Sequence, residues 1–130
     1  MPGRRDARRI VLQMLYLIDQ NSDADLRRIR KTFLDEFPQE ALQEFSWSLF
    51  IGVREDVAEL DKMIRETASN WRIERMAPTD RNILRMGIYE MRKMGTPAPV
   101  VLNEAIEIAR EFGTENSAAF VNGILDKLKL

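Results

Sequence analysis

Arg5, Arg9, Gln13 and Tyr16 stand at i, i+4, i+8 and i+11 near the start of this 130-residue chain. That spacing lines one face of an α-helix. Arg4 and Arg8 lie beside the stripe. Guanidiniums hold phosphates bidentately, and a tyrosine ring gives an unstacked base a surface to lie on. Arginines, an amide and an aromatic ring in one row therefore suit single-stranded RNA. The alternative is a solvated arginine-rich face with Tyr16 half buried at its edge.

Other chemistry is poorly provided for. The chain has no cysteine and no histidine. Disulfides, thiolate metal sites, cysteine nucleophiles, histidine-ligated zinc and a Ser-His-Asp triad are excluded. The six glycines are scattered and form no phosphate loop, and neither an EF-hand spacing nor a dinucleotide fingerprint is present. The expectation is a protein that binds without catalysing, with no metal and no cofactor. A net charge of −1 hides an asymmetry. Residues 1–31 carry eight Lys/Arg against four Asp, a balance of +4, and the remainder carries −5. A basic end on an acidic body points to a polyanion at that end, or to a solvated helix start.

The elements that must position these residues are helical. Hydrophobic residues make up 45% and charged residues 32%, a globular composition suited to one domain. Ala7, Val11, Met14, Leu15 and Ile18 form one apolar stripe, predicting a helix over about Arg4 to Asp19. Asn21-Ser22-Asp23 ends it and offers caps to a second helix, about Asp25 to Phe37, which Pro38 stops. A long third helix is predicted over about Gln39 to Ser69, carrying Leu42, Phe45, Leu49 and Val53 on one side and Trp47, Phe50 and Ile51 elsewhere. Gly52 within it reads as a close helix–helix contact. Trp71–Met76 is a linker or an extra turn. Pro78 suits the start of a fourth helix, about Thr79 to Met94, with Asp80 on the positive end of its dipole. A fifth helix, about Val100 to Phe112, ends at Gly113 as a left-handed cap. Ser117 is expected to cap a last helix, about Ala118 to Leu128. No repeat and no strand-like alternation interrupts this pattern, so the fold class is all-α.

Two further clusters stand out. Asp80-Arg81-Asn82-Ile83-Leu84-Arg85 alternates charge around the first turn of the fourth helix, as capping with ordinary surface ion pairs does. Asn122-Gly123, after Phe120-Val121, is locally unfavourable in a helix. A tight helix crossing accounts for it, a ligand contact being the other reading.

Taken together, Ala7-Arg8-Arg9, Gln13-Met14-Leu15-Tyr16, Ile51-Gly52-Val53, Asp80-Arg81-Asn82-Ile83-Leu84-Arg85, Tyr89-Glu90, Val101-Leu102-Asn103-Glu104-Ala105-Ile106-Glu107-Ile108-Ala109, Phe112-Gly113 and Phe120-Val121-Asn122-Gly123-Ile124-Leu125-Asp126-Lys127 resemble the NusB family in order and spacing, over about Arg4 to Lys127. The resemblance implies one RNA-binding domain over residues 1–130, a bundle of about seven helices in two packed subdomains, about 4–70 and about 78–129. It implies a transcription antitermination factor that binds single-stranded boxA of nascent ribosomal RNA together with ribosomal protein NusE, in an RNA polymerase antitermination complex. It implies RNA contacts from Arg4, Arg5, Arg8, Arg9, Gln13 and Tyr16, with Arg85, Asn116, Ser117 and Phe120 from the C-terminal half. The NusE side would include Asp80, Arg81 and Arg75. Asn116 stands where many relatives carry an acid, which favours a nearby phosphate chain. Ala118-Ala119 stand where a lysine is common, which removes one phosphate contact.

Two alternatives remain at this point: a helical protein-interaction module, or the RNA-binding fragment of a ribosomal RNA methyltransferase. No apolar run approaches the roughly 18 residues of a membrane span, and the N-terminus does not read as a secretory signal. The expected compartment is the cytoplasm.

Overall fold

Seven α-helices and a single 3-10 turn form the regular structure of residues 1–129, which the computed structural model describes. They are α1 (Arg4–Gln20), α2 (Leu26–Leu34), α3 (Glu40–Glu55), α4 (Val57–Thr67), the 3-10 turn Ile73–Arg75, α5 (Pro78–Lys93), α6 (Ala98–Phe112) and α7 (Ser117–Leu128). No strand occurs among the described residues, as the all-α reading expects. No helix among them is long and apolar enough to cross a membrane. The chain divides into two compact units, Met1–Gly52 and Val53–Leu130. This boundary lies earlier than the one read from sequence, which fell between about 70 and 78.

In the first unit α1 buries the whole predicted stripe, Ala7, Val11, Met14, Leu15 and Ile18, and adds Leu12. α2 begins at an Asp25 cap, whose carboxylate accepts from the Arg27 N–H at 3.0 Å. It ends at Leu34, earlier than expected. Phe37 is still buried, but from the turn that follows. Arg30 ties α2 to α3: its guanidinium lies 3.3 Å from the Glu44 carboxylate and 5.0 Å from the Trp47 ring centroid.

The predicted third helix is two helices. Asp56, at φ −99° and ψ 11°, leaves helical geometry and separates α3 from α4. Aspartate favours such a position because its side chain competes for nearby backbone amides. A one-residue break shifts little of the apolar phase, so Val53, Val57, Leu60 and Ile64 still read as continuous.

In the second unit α5, α6 and α7 pack on one another, and α4 packs on α5 and α7. The close crossing falls at Gly87. A Cβ there would meet Leu125 Cδ1 at 3.0 Å and Val101 Cγ1 at 3.3 Å. Gly123, expected to mark a crossing, is exposed with nothing within 4 Å of where its Cβ would lie. Gly113 is not a left-handed cap; its φ is −96° and its backbone extended. It must still be glycine, because a Cβ would overlap the Ser117 side chain and sit 2.8 Å from the Ala109 carbonyl oxygen. The left-handed residue is Gly95 at φ 70°, just after α5, where the Thr96 N–H turns back to the Glu90 carbonyl at 3.1 Å. The Thr96 hydroxyl also donates to the buried Glu90 carboxylate at 3.1 Å.

Candidate nucleic-acid interface

α1 carries the N-terminal basic residues of the first unit. Arg4, Arg5, Gln13 and Tyr16 are exposed, with Tyr16 at 50%. Arg9 is half buried and its guanidinium lies 3.1 Å from the Asp6 carboxylate. Asp6 also accepts the Gly3 N–H at 2.8 Å, which holds the start of the helix. That backbone bond, aided by the Arg9 charge, keeps the Asp6 carboxyl below the usual carboxylate range.

Arg8 differs from its neighbours. It is 4% exposed, and its guanidinium lies 5.4 Å from the Phe45 ring centroid. Its sequence position explains this. Arg8 precedes Leu12 by four residues and Leu15 by seven, so it shares the edge of the apolar face. Arg4, four residues earlier, lies 4.6 Å above the same ring while remaining exposed. Arg8 thus packs on the Phe45 ring and is the least exposed of the four N-terminal arginines expected to meet a phosphate chain.

In the second unit Arg85 is also held within the fold. Its Nε and Nη2 donate to the two Asp61 oxygens at 2.7 and 2.9 Å, and Nη1 donates to Asn82 Oδ1 at 2.9 Å. The residue is 8% exposed. With three of its N–H groups donated inside the unit, this guanidinium ties α4 to α5. Ser117 is likewise buried. It is 1% exposed, and its hydroxyl accepts the Thr114 N–H at 2.9 Å rather than capping α7.

Asn116 and Phe120 remain available at the start of α7, the first exposed and the second half buried. They border a cleft of about 380 Å³ together with Trp71, Arg75, Asp80 and Thr114. Trp71 is 61% exposed, and its ring meets the Phe120 ring edge to face at 5.3 Å. The segment carrying it is pinned: Ala68, Ile73 and Met76 are buried, and the Trp71 N–H donates to the Ala68 carbonyl at 2.9 Å. Asp80, in the first turn of α5, is half buried. Its Oδ1 is fully buried without a hydrogen-bond partner among the described residues. Arg81 reaches the Ile73 carbonyl at 3.4 Å, and Arg75 is exposed at the rim.

Trp71 is the residue that sequence reasoning passed over. Its signal was an aromatic ring outside any apolar period, inside a stretch read only as a linker or an extra turn. The 3-10 turn Ile73–Arg75 is that turn.

The model of the NusB family matches residues 5–129. Transcription antitermination protein NusB of Sorangium cellulosum is 40% identical over 98% of this chain and 92% of its own length. That of Solibacter usitatus is 43% identical over 99% of this chain and 90% of its own. The crystal structure of T. maritima NusB superposes with a TM-score of 0.90 at 36% identity, covering 98% of this chain and 90% of that one. A complex of antitermination factors NusB and NusE with double-stranded RNA contains a chain of the same fold, with a TM-score of 0.84 at 23% identity over 96% of this chain and 94% of that one. Relatives sharing two residues in five along almost the whole chain, and a family match over all but its ends, establish that the chain belongs to the NusB family.

Proposed function

We propose that this protein is a non-catalytic transcription antitermination factor of the cytoplasm that binds single-stranded boxA RNA together with ribosomal protein NusE, and through that pair joins an RNA polymerase antitermination complex. The family membership carries the reading. The exposed basic face of α1 supports it, because Arg4, Arg5, Arg9, Gln13 and Tyr16 offer charge, an amide and a ring along one helix. Asn116 and Phe120 contribute from the second unit. NusE meets the surface at the start of α5 that includes Arg75 and Arg81. Of the three residues the resemblance assigns to NusE, Arg75 is exposed, while Asp80 and Arg81 are half buried, each with one buried polar atom.

The test is a titration of boxA RNA at several salt concentrations, with and without NusE. Arg9→Ala is expected to flatten the log–log salt dependence by roughly 0.7 for each phosphate it no longer neutralises. Tyr16→Ala is expected to cost about 1–3 kcal/mol at every salt, as loss of a stacking platform does. NusE is expected to tighten binding of the wild type. If both variants match the wild type in affinity and slope, α1 is a solvated face and the proposal fails.

A further inference from the structure

We infer that α2 is a second phosphate track, on which Arg27, Arg28 and Lys31 hold the backbone of single-stranded RNA flanking boxA. This extends the RNA-binding reading and rests on it. The three cations stand at i, i+1 and i+4, so they share one side of α2 within about 6 Å of its rise. All three are exposed. Among the described residues Arg30 is the cation of α2 that the fold engages, through Glu44 and the Trp47 ring, and the other three make no ion pair. No acid lies within α2. Like charges four apart on a helix destabilise it. Arg27 and Lys31 are such a pair, and a bound polyanion offsets their repulsion.

The way α2 meets α1 indicates the occupant. Arg5, Arg9, Gln13 and Leu17 recur every four residues along α1, an advance of about 18 Å. Leu17, 38% exposed, closes that row. It lines a groove of about 380 Å³ together with Arg28, Thr32 and Phe33 of α2. A strand laid on the α1 row therefore reaches α2 at Leu17 without leaving the first unit. Leu17 and the half-buried Phe33 offer apolar surface to riboses and bases, and the three cations offer charge to phosphates. Asp23 and Asp25 line the same groove. The Asp25 carboxylate caps α2 by accepting the Arg27 N–H at 3.0 Å. Both acids repel phosphate, which directs the strand along α2 toward Lys31 and away from the start of the helix. An acidic protein segment would suit the cations equally, and the row that leads to them from α1 favours RNA.

The experiment measures binding of the full chain at several salt concentrations to boxA RNA alone and to boxA extended by unrelated sequence on its 5′ or its 3′ side. One extension is expected to steepen the log–log salt dependence by roughly 0.7 for each phosphate gained. Its base sequence should not matter, because phosphate contacts carry none. Arg27→Gln, Arg28→Gln and Lys31→Gln combined should abolish the increment and leave the affinity for boxA alone unchanged. Glutamine is a good helix former, and circular dichroism checks the fold. Arg92→Gln with Lys93→Gln, which removes exposed cations at the end of α5, should keep the increment. The chain has no cysteine, so Thr32→Cys carrying a photo-crosslinker should mark the extension and not boxA. Equal slopes on all three RNAs overturn the track, as does a crosslink confined to boxA. Loss of the increment in the α5 variant also overturns it, since net charge alone would then be responsible. A triple variant that keeps the increment but loses NusE affinity overturns it as well, and gives α2 to a protein. If the wild type shows no salt-dependent binding of boxA alone, the functional reading has failed and the track fails with it; boxA binding without an increment fails the track alone.

Discussion

Replacing Asp61 with alanine removes the carboxylate that accepts two N–H groups of Arg85, and the structure sets the size of the effect. The two side chains are 10% and 15% exposed, and their shortest contact is 2.7 Å. Breaking a buried pair from one side costs about 3–5 kcal/mol, because the remaining charge stays buried without compensation. Asn82 still holds one guanidinium edge at 2.9 Å and some water reaches the pair, which places the expectation at the lower end, about 3 kcal/mol. At roughly 2.1 cal/mol/K per residue, a chain of 130 residues has an unfolding entropy near 0.27 kcal/mol/K, so Tm should fall by about 11 °C. Arg85→Met is expected to destabilise as well, and Asp61→Leu with Arg85→Met to recover most of the loss, since an apolar pair replaces the ionic one. Thermal unfolding of wild type, Asp61→Leu, Arg85→Met and the double variant supplies the cycle, with Asp61→Ala measured beside them, and boxA titration at two salt concentrations supplies the functional readout. Folded Arg85→Met should bind RNA with the wild-type salt slope. A fall in Tm below about 3 °C for Asp61→Ala would refute the energetic argument. A slope flattened by about 0.7 in Arg85→Met at unchanged stability would show that this arginine touches a phosphate after all.

Three other outcomes follow from geometry. Gly87→Ala should destabilise by about 1–3 kcal/mol in urea unfolding, because its Cβ would press on Leu125 at 3.0 and 3.1 Å; Gly123→Ala, in open space on an exposed helical position, should stabilise by about 0.5–1 kcal/mol. Arg8→Ala should lower stability by removing the side chain that packs on Phe45 while leaving the salt slope of RNA binding intact, the reverse of Arg9→Ala. Acid should loosen the start of α1. The Asp6 carboxyl is held low in the folded chain, chiefly by the Gly3 N–H. Its contribution is therefore complete above the unfolded carboxylate value of about 4 and is lost as pH falls through the lower folded value. Amide exchange of the first turn should quicken in that window, and Asp6→Asn should remove the dependence. The effect is small, since the side chain is 44% exposed and screened by water.

Periodicity reached the helices because burial repeats every turn. The stripe Ala7, Val11, Met14, Leu15 and Ile18 is buried at every position. It could not find the break at Asp56, since one residue out of helical geometry leaves the neighbouring stripes nearly in phase. Nor could it place the ends. Phe37 is apolar and buried, but from the turn beyond α2. Ser117 fits an N-cap by type, yet it is the first helical residue, and its hydroxyl is taken by the Thr114 N–H. Glycine was ambiguous for the same reason. Gly113 is required by a neighbouring side chain, Gly95 by its positive φ and Gly87 by a helix crossing, three causes that share one letter.

The candidate interface was legible as a composition and illegible as a selection. Arg4, Arg5, Arg8 and Arg9 are alike in sequence, but a guanidinium meets a phosphate most readily where the fold leaves it exposed. Phe45, 37 residues away, lies beneath Arg8, and Asp61, 24 residues away, holds Arg85. Burial of an arginine is thus decided by partners distant in the chain, and local spacing reports only the face it starts from. The phase of Arg8 with Leu12 and Leu15 was the one local clue, because a charge on the edge of an apolar stripe must either snorkel outward or find a ring or a carboxylate. Trp71 shows the converse. It belongs to no stripe, so periodicity assigned it to a connector. Exposure of so large a ring, edge to face with Phe120, is the stronger sign of a binding role. Residues that break the folding pattern without stabilising the fold are where binding surfaces are to be sought.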